Sequence, residues 1–173
     1  MLSRLMRADG NTSKLDAAKT LTRVIAPVIA GQKTFVLKDS WYMKWTLLSY
    51  MLASGFHAIG QVRRDTALHD LPVRTRKRGR PAKYGTKFTE DVVAGLPEHR
   101  EEVFLYGHKQ MVRYRSARCL AKFMKGRTIR AVWMQFEDTS GTLSKTRVLI
   151  STPVSYTHLT LPTITSGCRG RWS

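Results

Sequence analysis

The sequence predicts an α/β fold in which a helix–strand–helix–strand unit is followed by a β-rich region. Three observations support this prediction. Apolar residues recur at helical spacing between residues 12 and 30, and two short apolar strands enclose a second helical pattern between residues 33 and 62. Segments typical of antiparallel strands follow residue 91. No internal repeat is present.

The first helix is predicted over residues 12–30, TSKLDAAKTLTRVIAPVIA. Thr12 or Ser13 can cap its start, and Asp16 lies where a carboxylate favours the positive end of the helix dipole. Pro27 is expected to kink or end the helix because proline lacks an N–H group. The i, i+3, i+4 spacing of one amphipathic face is followed by Leu21, Val24, Ile25, Val28 and Ile29.

A strand, a helix and a second strand are predicted between residues 33 and 62. The strand KTFVLK leads into Asp39, and Ser40 can cap the helix that follows. That helix is expected to end at Gly55, and FHAIGQV is the second apolar strand. A unit of this kind within about 30 residues favours two parallel strands. The apolar residues at helical spacing between the strands are Trp41, Trp45, Leu48 and Leu52.

The chain changes character at Arg63. Residues 63–87 are polar, rich in turn-forming residues and strongly basic, and no acidic residue lies between Arg74 and Lys87. This composition predicts an exposed basic loop over residues 63–90 rather than an element of the core.

Residues 91–152 predict a β-rich region arranged as an antiparallel meander. EVFLYG and KQMVRYRS form one expected hairpin about Gly107 and His108. TIRAVWMQFED and SKTRVLIST form another about residues 138–142, where Ser140-Gly141 supplies the turn. Between the two hairpins, ARCLAKFMKG is expected to form a helical turn.

Composition limits the class of partner. The chain has 173 residues, with 30 Lys and Arg against 12 Asp and Glu, a formal net charge of +18 and a pI near 10.6. This excess indicates a polyanionic partner, nucleic acid first and an anionic membrane surface second. The sequence has no apolar run of the roughly 18 residues that a membrane-spanning helix needs. Its two cysteines, Cys119 and Cys168, make neither a disulfide framework nor a zinc site. We therefore expect a cytoplasmic protein.

Residues 153–173 are expected to be an artefact of sequencing. VSYTHLTLPT, residues 154–163, resembles the translated read-through of a sequencing adapter. CRGRWS, residues 168–173, resembles a later stretch of the same adapter and departs from it at Gly170. The alternative is an ordinary terminal strand rich in Thr and Leu. On the adapter interpretation, the biological chain ends at Thr152 and Cys168 has no meaning.

Three ordered strings resemble bacterial insertion-sequence transposases of the DDE superfamily: KTFVLKDSWYMK, GFHAIGQVRRDTALHDLP and RKRGRPAKYG. The similarity runs from about Ser13 to Thr152. It implies an RNase H-like core, of which residues 1–62 form a part, with residues 91–152 as a β-rich insertion. For the intact protein it implies metal-dependent DNA cleavage and strand transfer, with transposon ends and target DNA as partners. It also allows a homodimer of that protein and association with the nucleoid.

Asp39 is the residue to which the resemblance assigns chemistry. Its position alone, at the carboxyl end of a central strand, fits either a helix cap or a ligand of Mg²⁺. The resemblance makes Asp39 the second catalytic aspartate and a ligand in a site for two Mg²⁺ ions. The first aspartate and the glutamate of that set have no counterpart, because Asp9 lies in a polar, turn-like context and Glu137 and Asp138 match no family motif. We therefore expect a fragment, truncated at both ends and inactive alone.

The basic loop contains RGRP, which resembles the core of an AT-hook. In that motif an Arg-Gly-Arg segment enters the narrow minor groove of A·T-rich DNA, where Gly79 would allow close approach of the backbone. The alternatives are phosphate contact without sequence preference and a solvated charge run with no role in DNA binding. Arg63 and Arg64 are further candidates for phosphate contact. The predicted DNA-binding residues are Arg63, Arg64, Arg76, Lys77, Arg78, Gly79, Arg80 and Lys83.

Two other hypotheses remain beside the transposase fragment. A basic DNA-binding protein without catalysis predicts strongly salt-dependent binding by the chain itself. A non-functional relic or an assembly error predicts no expressed product of this length. For the transposase fragment, loss of the first strands would leave the helix face from Leu21 to Ile29 and one strand edge uncovered, which predicts aggregation.

Overall fold

The computed structural model describes residues 14–73, 80–105, 107–138 and 141–153. The α-helices in these ranges are α1 (Lys14–Ile25), α2 (Trp45–Ala53) and α3 (Glu90–Ala94). Short 3-10 helices cover Ser40–Tyr42 and Lys122–Met124. The strands are β1 (Phe35–Lys38), β2 (His57–Val62), β3 (Leu68–His69), β4 (His99–Leu105), β5 (His108–Ala121), β6 (Arg127–Glu137) and β7 (Arg147–Ser151).

The described strands form one mixed sheet in the order β1-β2-β7-β6-β5-β3, and β4 pairs with the first half of β5. β1 and β2 are parallel, with Lys38 opposite Gly60. All the other pairs within the described ranges are antiparallel. Because β7 pairs with β2, the strand–helix–strand unit and the meander share a single sheet. The parallel pair therefore lies at one edge of a largely antiparallel sheet.

The parallel pair forms because α2 is apolar enough to pack back onto its own strands. Leu47, Leu48 and Met51 of α2 are buried, and Gly55 adopts φ +82° where the chain reverses. Gly60 lets β2 approach its neighbours closely, since a Cβ there would lie 2.6 Å from the carbonyl oxygen of Lys38 and 2.6 Å from the Met43 sulfur. These contacts set the position of the carboxyl end of β1.

The main core lies between the sheet and the helices, on what we call the helix-bearing face. Side chains alternate along each strand, so this face carries Ala58, Val148, Ala131 and Cys119 from four successive strands. Leu48 of α2 and Met124 of the second 3-10 helix join them in one cluster. A second cluster joins α1 to α2 through Leu47, Met51 and Phe56, with Leu15, Ala18 and Ile29 packed against it.

The alternate residues point to the opposite side of the sheet, which we call the open face. A shallow hollow on this face is lined by residues of β2, β5, β6 and β7, and no described helix contributes to it. Val112 and Met134 are buried there, whereas Ile59, Val132 and Leu149 are half-buried. The sheet thus has one face under helices and one face that they leave uncovered.

The structure confirms the predicted α/β class, with a core dominated by the sheet. Helices and strands occur where the periodicity predicted them in residues 14–62, and β1 and β2 are parallel as expected. Both predicted hairpins are present as β4–β5 and β6–β7. The first helix ends at Ile25, two residues before Pro27, as a residue without an N–H group requires. Thr12, Ser13, Asp9, Ser140 and residues 154–173 lie outside the described residues.

The helix face from Leu21 to Ile29 is uncovered only in part. Val24 is 61 % exposed and Val28 is 80 % exposed, whereas Ile29, which lies beyond α1, is half-buried and packs against the second cluster. The predicted uncovered strand edge is present. β1 is the edge strand of the sheet, and Leu37 on it is 71 % exposed.

Two local predictions are wrong. Ser40 does not cap α2, which begins at Trp45 after Lys44, because Asp39 caps a separate 3-10 helix over Ser40–Tyr42. ARCLAKFMKG is not a helical turn as a whole. Its first five residues continue β5, where Cys119 and Ala121 face the core at strand spacing, and a 3-10 turn follows at Lys122–Met124.

The basic loop is anchored more firmly than its composition predicted. Leu68 is 2 % exposed and pairs with Ala121 as part of β3. The amide of Phe88 donates to the carbonyl of Leu68 at 3.0 Å, and Phe88 packs against the main core. Two apolar residues thus anchor both ends of the loop to the sheet.

Candidate functional site

Asp39 follows directly after β1, at the end of the sheet where the carboxyl ends of β1 and β2 lie side by side. Its backbone is extended, with φ −74° and ψ 160°, and its Oδ1 accepts a hydrogen bond from the Ser40 amide at 2.6 Å. The side chain is exposed. Asp39 therefore caps a 3-10 helix and still presents a carboxylate to solvent.

Trp41 lies next to this carboxylate and is flanked by two ammonium groups. The Nζ atoms of Lys44 and Lys14 lie 4.5 and 5.7 Å from the centroid of its ring. Trp41 is 43 % exposed, so the sequence-based expectation that it belongs to the helical apolar stripe is wrong. A cation over the face of an indole is attracted by its quadrupole. Lys14 on α1 and Lys44 before α2 are therefore both held over Trp41, two residues after Asp39.

Asp39 also lines a groove of about 630 Å³ between α1, β1 and α2. Most of its walls are apolar, and Lys38 is the exception that stands out chemically. The Lys38 Nζ is buried, with no hydrogen-bond partner among the described residues. Burial lowers the pKa of Lys38 to about 8. In the sequence, Lys38 is simply the last residue of the predicted strand KTFVLK.

The described residues do not make a magnesium site by themselves. In the ranges given above, no group of three or more His, Cys, Asp or Glu side chains is close enough to hold a metal ion. Asp39 contributes one carboxylate, and one of its oxygens already accepts the Ser40 amide. Glu137 is not a partner for it, because its Oε2 lies 2.9 Å from the Arg113 Nε in an ion pair. A Mg²⁺ ion bound here would need further oxygen ligands from elsewhere.

Arg63 and Arg64 follow β2 at the same end of the sheet as Asp39. The Arg63 guanidinium makes two hydrogen bonds to the Asp65 carboxylate, at 2.9 and 3.0 Å. Arg64 pairs with Glu90 of α3. Arg63 and Arg64 side chains are 81 % and 61 % exposed, so these pairs can exchange for phosphate contacts at little cost. Both predicted residues are therefore accessible, although each is already paired with a carboxylate.

The basic loop leaves the sheet from a short stem at the β3 edge. The amide of Asp70 donates to the carbonyl of Thr86 at 2.8 Å, and the amide of Gly85 donates to the carbonyl of Asp70 at 3.0 Å. Gly85 has to be glycine here, since a Cβ would lie 2.7 Å from the Leu71 carbonyl oxygen. Arg80 and Lys83 are exposed on this loop, and Arg76, Lys77, Arg78 and Gly79 lie outside the described residues.

The predicted site residues thus fall into two groups. Asp39 follows β1 at one edge of the sheet, whereas the stem of the basic loop lies at the opposite edge, five strand spacings away. At about 4.8 Å per spacing, these two edges are roughly 24 Å apart. Arg63 and Arg64 follow the inner strand β2, and Arg64 pairs with Glu90, just beyond the stem of the loop. A single small ligand cannot touch both Asp39 and the stem of the loop, but a polymer can.

Sequence reasoning missed two arginine pairs on the sheet. Arg113 and Arg115 point toward α3 and are matched by Glu137 and Glu98, at 2.9 and 2.7 Å. Arg118 and Arg130 lie directly opposite each other on β5 and β6. Their positions depend on strand register, which residue patterns did not reveal.

Comparison with known proteins adds no family to this description. No protein-family model matches the chain, and a search of curated proteins finds none that is significantly similar to it. Within the described ranges, no helix has the combined length and apolarity required to cross a bilayer.

Proposed function

We propose that this chain is a fragment of a DDE-type transposase whose intact form uses Mg²⁺ to cleave DNA and transfer its strands. The observation that carries the proposal is the position of Asp39, exposed at the carboxyl end of β1 beside the parallel strand β2. Open α/β sheets bind their ligands at such ends. The resemblance of KTFVLKDSWYMK to these enzymes assigns the chemistry to the same residue.

The proposal includes an RNase H-like origin for the first part of the sheet. The order helix, strand ending at Asp39, helix and parallel strand in residues 14–62 supports it. The antiparallel strands that follow would form the β-rich insertion. Since no group of three or more His, Cys, Asp or Glu side chains is close enough to hold a metal in the described residues, the fragment is proposed to be inactive alone and its parent to supply the other ligands.

DNA is proposed as the partner of both the fragment and its parent, and the cytoplasm, beside the nucleoid, as their location. A net charge of +18 favours association with a polyanion. Arg63 and Arg64 are exposed after β2, and Arg80 and Lys83 are exposed on the loop that follows β3. One turn of B-DNA spans about 34 Å, so one duplex could reach both places.

The experiment that tests the enzymatic proposal uses the protein encoded by the intact genomic locus. We expect its upstream frame to encode a strand ending in Asp and its downstream frame a helix carrying Glu. With Mg²⁺, that protein should nick a duplex bearing the ends of the element. Asp39→Asn should lower the rate about a thousandfold, because it removes a metal ligand. Asp91→Asn, an exposed carboxylate on α3 outside the site, is the matched control.

A basic DNA-binding protein without catalysis is the second candidate, favoured by the cation excess and the exposed arginines. It predicts tight, salt-dependent DNA binding by the 173-residue chain and no cleavage by any longer product of the locus. Salt-dependent DNA binding without Mg²⁺-dependent nicking by the wild-type product of the locus would decide for this second candidate.

A further inference from the structure

Two arginines face each other across the open face of the sheet. Arg118 on β5 is directly opposite Arg130 on β6, and neighbouring core residues Cys119 and Ile129 point to the helix-bearing face. Directly paired residues on antiparallel strands have their Cβ atoms about 5 Å apart. Like charges at that separation destabilise a sheet unless an anion lies between them.

Two arginines on the other face of β5 have counter-ions within the fold. Arg113 and Arg115 each have a glutamate within 3 Å, so their charges are neutralised inside the fold. Arg118 and Arg130 form no ion pair with any described residue. The two faces therefore differ in whether the protein supplies the counter-charge itself.

Arg130 also retains unused hydrogen-bonding capacity. Its Nη1 lies 3.5 Å from the Ser116 hydroxyl, a long contact, and its Nε is buried without a hydrogen-bond partner among the described residues. A buried donor that has no acceptor costs free energy. Ser151, opposite Arg130 on β7, is a buried hydroxyl residue on the same face. The pair thus has an unmet acceptor requirement as well as an unmet charge.

The basic loop begins beside this pair. His69 of β3 is opposite Leu120, which lies two residues along β5 from Arg118 and on the same face. The Tyr84 ring, from the returning side of the loop, lies 5.1 Å from the His69 ring. Arg118 therefore lies close to the stem of the loop that carries the exposed Arg80 and Lys83.

We propose that Arg118 and Arg130 together bind one phosphate group of a nucleic-acid backbone on the open face of the sheet. Two guanidinium groups can donate several parallel N–H bonds to phosphate oxygens, and charge-assisted bonds of this kind are the strong ones. The bound phosphate would neutralise the facing charges. This inference rests on the DNA partner proposed above and adds to it a defined contact that no sequence motif indicated.

A nucleic-acid phosphate fits better than the carboxylate of an acidic protein. The pair lies beside a basic loop with no acidic residue between Arg74 and Lys87, so the surface is suited to a continuous polyanion rather than one side chain. The same chemistry would also hold a free phosphate or a nucleotide, and the experiment separates these sources.

The test measures binding of the complete 173-residue chain to a 30-base-pair duplex by fluorescence anisotropy across a salt series. Arg118→Gln/Arg130→Gln should weaken binding about tenfold at 0.1 M salt and reduce the slope of log K against log salt by about 1, as expected for one lost phosphate contact. Arg23→Gln/Lys145→Gln removes the same net charge from exposed positions on α1 and before β7, and should change the slope much less. Arg118→Gln alone, at an exposed position, repeats the measurement without touching the half-buried Arg130.

The outcomes distinguish this inference from the function on which it rests. If the chain binds DNA and the two double variants behave alike, the arginine pair is not a phosphate site, although the DNA partner stands. If the wild-type chain binds no DNA at low salt, both proposals fail. If inorganic phosphate raises the Tm of the wild-type chain but not of Arg118→Gln, and DNA does not bind, the site belongs to a small ligand. If polyglutamate outcompetes the duplex only when both arginines are present, the pair recognises a protein carboxylate instead.

Discussion

The helix-bearing face and the open face of the sheet are built from alternate residues of the same strands, yet they bury and neutralise their side chains differently. Ile150 on β7 is 1 % exposed beneath α2, while its neighbour Leu149 on the open face is half-buried. Arg113 on β5 has Glu137 as partner, while Arg118 on the same strand has no ion pair among the described residues. The helix-bearing face neutralises Arg113 and Arg115, although the Lys38 ammonium on it has no hydrogen-bond partner among the described residues. The open face leaves apolar surface uncovered and Arg118 without an ion pair among those residues.

This difference shows where a partner would bind and where it would not. Buried, mutually paired side chains contribute mainly to the stability of the fold. A pair of like charges with no counter-ion among the described residues is more informative about function, because folding alone gives no reason to place two arginines opposite each other. Lys38 and Asp39 are neighbours in the chain but differ in exposure. The Lys38 ammonium is buried on the helix side, and the Asp39 carboxylate is exposed.

The largest expected effect on stability comes from truncating side chains on β7, where neighbouring residues point to opposite faces of the sheet. Ile150→Ala should lower the free energy of unfolding by about 3 kcal/mol, since it leaves a cavity in the main core. Leu149→Ala should cost about 1 kcal/mol, because part of that side chain is already in water. Urea denaturation of both variants measures the difference, and the change to Ala is matched on adjacent strand positions. Equal losses would show that the open face is packed as tightly as the other.

A smaller effect is expected at Lys38. Its lowered pKa means that the folded protein holds this proton less tightly than the unfolded chain, so stability should increase as pH rises from about 8 to 10.5. Lys38→Met should raise the free energy of unfolding at neutral pH by roughly 1 kcal/mol, after allowing for the part of the side chain in solvent, and should abolish that increase. Lys145→Met, at an exposed position, should keep the wild-type pH profile. An unchanged profile in Lys38→Met would contradict the burial of the ammonium.

The smallest effect on stability is expected at the ion pair between Arg113 and Glu137. The hydrogen bond from Arg113 lowers the pKa of Glu137, so this interaction stabilises the fold above the normal carboxyl pKa and is lost as pH falls through the lowered value. Arg113→Gln should therefore destabilise the protein at neutral pH and lose that deficit in acid. Arg118→Gln should not destabilise it at any pH in a phosphate-free buffer. Parallel pH series of chemical denaturation measure both variants, and a similar loss in the two would remove the contrast between the faces.

Local patterns predicted much of the fold for reasons that act over a few residues. The spacing of Leu48 and Leu52 indicated α2, Pro27 limited α1, and Asp39 was placed at the end of a strand. The burial of Leu68 and Phe88 was missed because it depends on distant strands. Leu68 pairs with Ala121 of β5, and the Phe88 ring lies 5.2 Å from the Trp133 ring of β6. Ser40 was assigned as the cap of α2 because its side chain suits that position. In the structure, Asp39 accepts the hydrogen bond of the Ser40 amide and caps a separate 3-10 helix.

The candidate site divides in the same way. The position of Asp39 after an apolar strand, the strongly basic stretch from Arg74 to Lys87 and the net positive charge are properties of the chain itself, since they require no knowledge of which segments meet. The separation of Asp39 from the basic loop, the buried ammonium of Lys38 and the opposition of Arg118 and Arg130 arise from long-range pairing. The register of β5 and β6 places Arg118 opposite Arg130, 12 positions later in the chain. The strand order places β7 beside β2, more than 80 residues away in sequence. A shift of one residue in the β5–β6 register would separate the two arginines, because direct pairing is a property of the sheet as a whole.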